Sequence, residues 1–370
     1  MTRNVVPKTK FQRFFYSEQN NFEQSLDIWE PVDLPYEGER GMKRDDLPTV
    51  VLVVGSGWMG HRSVIYSGTS WWNSSGPRTI ARLGCVCVCV RHRGVFPHVS
   101  AQQAMSLLLL GTSVLSMLVT LDTAFTVVTI MCLLLGSLVL AGRGSASFDH
   151  MLEDVADALV WVDRNRNTVG RSRSPLVFGG YSSGGHVAAS LLQRPDVLAS
   201  RGLPPPENIC DGVLMISGVL AVRPPISAPE PPRWLTDLTV NAVFGKNQAF
   251  NIPSPLHGPL PRIPHLLVGC RNEMFGLKWL DLFFCSGAYC KALQVKGIRA
   301  KFVQISSDHW NILNSTDLAR ALEIEFPWLC SKHQTRKASD VYSTRFDTNH
   351  PKGGHALAVL EENIQNLRKE

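Results

Sequence analysis

Charge is scarce in this chain and gathered nowhere. Only 18% of the 370 residues are Asp, Glu, Lys or Arg, and the net charge of +6 is not concentrated in any basic block. A nucleic-acid footprint needs a clustered basic face, so no nucleic-acid partner is expected. A mild attraction to anionic membrane surfaces is all that this charge balance suggests. The nine cysteines lack the paired spacings of a zinc site or a redox motif, and their odd total favours a reducing compartment. The N-terminal run Met1-Thr2-Arg3-Asn4-Val5-Val6-Pro7 lacks the apolar core of a secretory signal peptide. Neither a metal nor an organic cofactor is expected.

What the chain does have is apolar residues, 44% of the total, enough for a substantial core. They fall into short runs that are apolar throughout. Thr49–Val54, Gly84–Val90, Pro175–Gly179, Asp211–Ser217, Pro264–Gly269 and Ala300–Ile305 read as strands buried on both faces. In the second of these, Cys85, Cys87 and Cys89 alternate with valines and should share one face as small buried hydrophobes. Helical periodicity lies between the runs, at residues 153–162, 186–192 and 280–295. Strands alternating with helices predict an α/β fold, a mostly parallel central sheet covered on both faces. The expected organisation is an N-terminal segment over 1–48, polar and irregular apart from a strand at Ser25–Pro31, then an α/β domain over 49–330. A Pro-rich irregular stretch, 218–256, is suited to be a lid. A polar tail follows over 331–370, with a short helix near 356–367.

One segment departs from this pattern. Between residues 104 and 142 the only charge is Asp122, flanked by apolar stretches of 17 residues (Met105–Leu121) and 19 residues (Thr123–Ala141). A bilayer core takes about 20 apolar residues per helix, with a range of about 17–25. The segment therefore reads as an apolar helical hairpin inserted in the domain and anchoring it to a membrane. Arg91 and Arg93 before it and Arg143 after it fit the positive-inside tendency. A pair of buried helices, or a wrongly joined exon, are the other readings.

Gly180-Tyr181-Ser182-Ser183-Gly184 reads G-x-S-x-G between a strand and a small-residue helix, the arrangement of a nucleophile elbow. Ser182 is the expected nucleophile. Its base must be a histidine on a loop late in the chain, after a strand's carboxyl end. Of the eleven histidines, His309 meets this; His186 lies on the elbow helix and reads as structural, His265 precedes its strand, and His333, His350 and His355 belong to the tail. The acid should follow the strand ending at Gly269. Glu273 is the first candidate and Asp281 the second, while Asp308 is too close to His309 in sequence to reach its ring. The oxyanion donors expected are the N–H groups of Ser183 and of Ser56 and Gly57, in the turn after Thr49–Val54. Gly55, Gly57 and Gly60 also spell G-x-G-x-x-G, but no acidic residue ends a second strand at the distance a dinucleotide site needs.

With these residues in view, the chain resembles the α/β-hydrolase fold, in its esterase branch with an H-G-G-x-W oxyanion turn (hormone-sensitive-lipase-like esterases, kynurenine formamidases, isoprenylcysteine methylesterases). Val54-Gly55-Ser56-Gly57-Trp58 occupies that turn, Gly180–His186 resembles the elbow G-x-S-A-G-G/A-H/N, and Ser25–Pro31 resembles an early L-D-x-Y-x-P strand. The resemblance implies a serine carboxylic-ester hydrolase acting through an acyl-enzyme. Two departures stand out: Val54 replaces the usual histidine, and Ser56 replaces a glycine and would be strained if its φ were positive. The hairpin, leaving on the catalytic side of the sheet, implies a lipophilic ester as substrate and a membrane-associated enzyme with its domain in the cytosol; a soluble cytoplasmic enzyme is the alternative. From a different class, a catalytically impaired hydrolase fold serving as a membrane-bound binding protein fits the two departures.

Overall fold

A computed structural model describes residues 9–19, 21–31, 47–61, 71–95, 146–169, 174–222, 233–244, 251–273 and 283–330. Among these residues eight strands form one sheet: β1 (Thr9–Phe15), β2 (Ser25–Pro31), β3 (Thr49–Val53), β4 (Val86–Val90), β5 (Leu176–Tyr181), β6 (Gly212–Ile216), β7 (His265–Asn272) and β8 (Ala300–Asp308). Their spatial order is β1-β2-β4-β3-β5-β6-β7-β8. Pairing is antiparallel from β1 through β2 to β4 and parallel from there to β8. Six helices matter for the argument: α1 (Trp71–Arg82), α2 (Phe148–Arg164), α3 (Ser183–Leu192), α4 (Arg233–Phe244), α5 (Ser286–Val295) and α6 (Thr316–Cys330).

Strand pleating divides the apolar runs between two cores. Val51, Val53, Val86, Val88, Val90, Phe178, Val213 and Met215 face one side, against α2, α3 and α5. Their alternates, including Val50, Leu52, Val177, Leu214 and Ile216, face α1 and α6 on the other. Cys85, Cys87 and Cys89 lie together in this second core, as their spacing of two requires. Burial pushes the Cys85 and Cys87 thiols upward, so both sit there as neutral packing groups.

The structure adds elements that the periodicity did not mark. β1 lies within the stretch read as irregular; as an edge strand it leaves Phe11 and Phe15 exposed, and its alternation is too weak to show in sequence. Helix α4 lies within the Pro-rich stretch read as an irregular lid. Helix α6 covers the second core through Leu318, Leu322 and Leu329. The apolar hairpin expected over 104–142, and the tail 331–370, lie outside the described residues. Among the described residues no helix is long and apolar enough to cross a membrane. The chain on either side of the apolar segment meets in a hydrogen bond, Ala146 N–H donating to Gly94 O at 3.2 Å.

Two arginines read as membrane-flanking charges have other work. Arg91 is 2% exposed; its guanidinium pairs with Asp27 on β2, hydrogen-bonds Ser25 Oγ at 3.2 Å and lies over the Phe22 ring at 4.8 Å. Arg13 reaches the same carboxylate from β1 at 2.7 Å. Arg93 pairs with the fully buried Asp154 of α2 at 2.7 Å. These charges hold the antiparallel strands and α2 to the end of β4, so charge position alone misread them.

Candidate active site

The end of β5 runs directly into α3 through Ser182, which adopts φ 56°, ψ −128°. That conformation is costly for a residue with a side chain and persists only where its surroundings impose it. The surroundings are specific. Ser182 N–H donates to Ile216 O on β6 at 3.1 Å, and Val219 N–H donates to Ser182 O at 3.0 Å. A Cβ at Gly184 would run into the Val53 carbonyl of the neighbouring strand, so the helix can start this close to the sheet only with glycine there. The outcome is a half-buried serine hydroxyl at the N-terminus of α3, where the helix dipole favours negative charge.

His309 and Glu273 meet that serine from adjacent strand ends. Ser182 Oγ lies 2.8 Å from His309 Nε2, and His309 Nδ1 lies 3.2 Å from Glu273 Oε2. His309 is 3% exposed and Glu273 is 6% exposed. The residues are 127 and 36 positions apart in sequence; the parallel order β5-β6-β7-β8 brings their loops to one edge of the sheet. Of the alternative acids, Asp308 is engaged elsewhere. Asp308 accepts from the N–H groups of Trp310 and Asn311, each at 2.9 Å, and caps its own turn; Asp281 lies outside the described residues.

Sequence reading missed the groups that hold this pair. Glu273 Oε1 accepts from Cys270 N–H at 2.8 Å and from Ser217 Oγ at 3.2 Å, which leaves Oε2 for the histidine. Ser217 is fully buried and sits at φ 42° just past β6; its signal was a serine before glycine at the end of an apolar run. Tyr181 stacks on the His309 ring at 5.2 Å and donates its hydroxyl to His309 O at 2.6 Å. Phe284 packs on the ring at 4.8 Å.

The turn after β3 lies beside the elbow because Val53 pairs with Gly180 across the parallel ladder. Ser56 keeps a negative φ; the positive values fall on Gly57 (63°) and Trp58 (61°). The strain feared at Ser56 is therefore absent, and at Gly57 glycine carries no steric cost. Trp58 is held through its indole: Nε1–H donates to His186 Nδ1 at 3.1 Å, and His186 Nε2–H donates to Pro253 O at 2.8 Å. Burial drops the His186 pKa to about 4, so it is a neutral brace linking turn, elbow helix and the 251–273 segment. Neither the Gly57 nor the Ser183 N–H has a hydrogen-bond partner among the described residues. The Ser56 N–H does: it donates to Ser183 Oγ at 2.9 Å, and Trp58 N–H donates to the same oxygen at 3.3 Å. Among the described residues no cluster of metal-ligating side chains occurs.

The sequence matches no protein-family model and no curated protein. The structure matches solved structures over most of its length. It is similar to esterase B from Lactobacillus rhamnosis HN001, with TM-score 0.55 and 13% identity over 99% of this chain and 90% of that one. It is similar to an esterase from the archaeon Pyrobaculum calidifontis, with TM-score 0.53 and 17% identity over 88% and 87%. Carboxyl esterase 2 of the mycorrhizal fungus Tuber melanosporum gives TM-score 0.52 and 14% identity over 89% and 90%. These likenesses define the class by fold: an α/β-hydrolase-type sheet, the fold of these esterases.

Proposed function

We propose that the protein is a serine carboxylic-ester hydrolase with Ser182 as nucleophile, His309 as base and Glu273 as acid. The observation that carries the reading is the unbroken chain of contacts Ser182–His309–Glu273, at 2.8 and 3.2 Å, on a strained elbow. With Nδ1–H donated to Glu273, His309 keeps a lone pair on Nε2 to take the Ser182 proton. Ser182 Oγ then adds to the ester carbonyl carbon and the carbonyl electron pair moves onto oxygen. The N–H groups of Gly57 and Ser183, unpartnered among the described residues, stabilise that charge. His309 returns its proton to the leaving alcohol, and water hydrolyses the acyl-enzyme by the same steps.

The substrate class is inferred from the composition of the segment that follows β4. The apolar segment 104–142 joins the fold at the carboxyl end of β4, on the edge of the sheet that carries Ser182. We take this, with the apolar composition, as support for a lipophilic ester presented at a membrane surface. A second structure of the Lactobacillus enzyme is described as inhibited by a tributyrin phosphonate, an acylglycerol analogue, in keeping with that class. Deleting residues 104–142 is expected to abolish co-sedimentation with phospholipid vesicles while leaving Ser182 reactive. Equal sedimentation of both forms would remove the membrane part of the reading.

The hydrolase reading itself is tested with a fluorophosphonate probe, which phosphonylates an activated serine. Wild-type protein should label stoichiometrically and Ser182→Ala not at all. A folded wild type that resists the probe would favour the binding-protein alternative.

A further inference from the structure

The donors and acceptors around Ser183 do not balance, and the imbalance extends the hydrolase reading, on which it rests. A serine hydroxyl has two acceptor lone pairs and one donor proton. Both lone pairs of Ser183 Oγ are engaged, by Ser56 N–H at 2.9 Å and Trp58 N–H at 3.3 Å. Its proton has no acceptor among the described residues, although the side chain is 1% exposed. A buried donor left without a partner is costly and calls for an explanation.

The position of this orphan proton explains it. Ser183 directly follows the nucleophile and opens α3, so its hydroxyl lies between the elbow and the oxyanion turn. It has drawn off the Ser56 N–H, one of the donors expected to face the substrate oxygen. We propose that the Ser183 hydroxyl replaces that donor, clamping the turn with its lone pairs and giving its own proton to the oxyanion. The hole then consists of Gly57 N–H, Ser183 N–H and Ser183 Oγ–H. As negative charge grows on the substrate oxygen, this O–H bond gains a charged acceptor, so its stabilisation is greatest in the transition state. The two N–H groups donating into Ser183 Oγ polarise it and make its proton a better donor.

The experiment compares p-nitrophenyl butyrate with its thionoester, in which the carbonyl oxygen is replaced by sulfur, a poor hydrogen-bond acceptor. Ser183→Ala should lower kcat on the oxygen ester by about 10²–10³-fold, the size associated with one oxyanion donor. KM should change little. The ester-to-thionoester ratio of kcat/KM should shrink about tenfold or more, because only the oxygen substrate profits from the lost donor. Ser183→Cys keeps size and shape with a weak donor and should shrink the ratio in the same way; it serves if the alanine variant folds poorly. Ser183→Thr retains the hydroxyl and should retain the ratio. A rate that is unchanged or raised in Ser183→Ala overturns the proposal. So does an equal fall on both substrates, which would mark a clamp and nothing more. Fluorophosphonate labelling of wild-type Ser182 keeps the two readings apart: if it fails, the hydrolase assignment has failed, and if it holds, the ratio concerns Ser183 alone.

Discussion

His309→Ala is expected to lower kcat on p-nitrophenyl butyrate by about 10⁵–10⁶-fold, as loss of a base that works as a unit with its nucleophile does. The ring is enclosed by Tyr181, Phe284 and Trp310 and reaches Ser182 through Nε2. No other group among the described residues is placed to accept that proton; Asp308 is committed to its own turn. The companion change Glu273→Gln tests how the ring is oriented. A glutamine amide can donate to Nδ1, which would force the ring proton onto Nε2 and remove the lone pair that Ser182 needs. A loss of about 10⁴-fold follows for such a tautomer switch, with the fold intact, because Cys270 N–H and Ser217 Oγ can still donate to the amide oxygen. Steady-state kinetics of both purified variants decide it. Activity within tenfold of wild type in His309→Ala would mean that another residue is the base.

The second large effect is on stability. Asp27→Ala should destabilise the fold by about 3–5 kcal/mol, the cost of breaking a buried ion pair and stranding one charge. The stranded charge is Arg91, fully enclosed between β2, β4 and the Phe22 ring. The same carboxylate sets an acid limb. Burial raises the Asp27 pKa, but hydrogen bonds from Arg91 and then Arg13 outweigh it, and the net shift is downward from the ordinary 3.8. A depressed carboxylate contributes stability that is complete above its unfolded value and is lost as pH falls through its folded one. Denaturant melts should therefore show the wild-type advantage in full at pH 6 and a shrinking difference below about pH 4. Curves that stay parallel down to pH 2 would show that the pair contributes nothing specific.

Much of the site was readable because its signals are local. The elbow needs glycine on both sides of Ser182 and a strand and a helix in sequence with it, and all of these are neighbours in the chain. His309 and Glu273 followed from a topological rule, that functional loops leave the carboxyl ends of strands, applied to strands whose unbroken apolar runs marked them as buried. What was not readable depends on partners distant in sequence. β1 is an edge strand whose register is imposed by β2, and its own alternation is faint. Arg91 and Arg93 looked like charges beside a membrane segment; only the fold brings Asp27 and Asp154 against them. Ser217 carries no mark of its role until β6 and β7 pair and set it beside Glu273.

The sequence by itself determined all of the sheet but β1, and the candidate nucleophile and relay residues, because apolar periodicity and turn sterics act over a few residues. The tertiary structure decided which N–H groups face outward in the oxyanion turn. That choice depends on a hydroxyl 127 positions away from Ser56, and on a backbone that puts positive φ on Gly57 and Trp58 rather than on Ser56. Hydrogen-bond direction is a property of three-dimensional contact, so no pattern along the chain could have revealed that Ser183 had claimed a donor expected to serve the substrate.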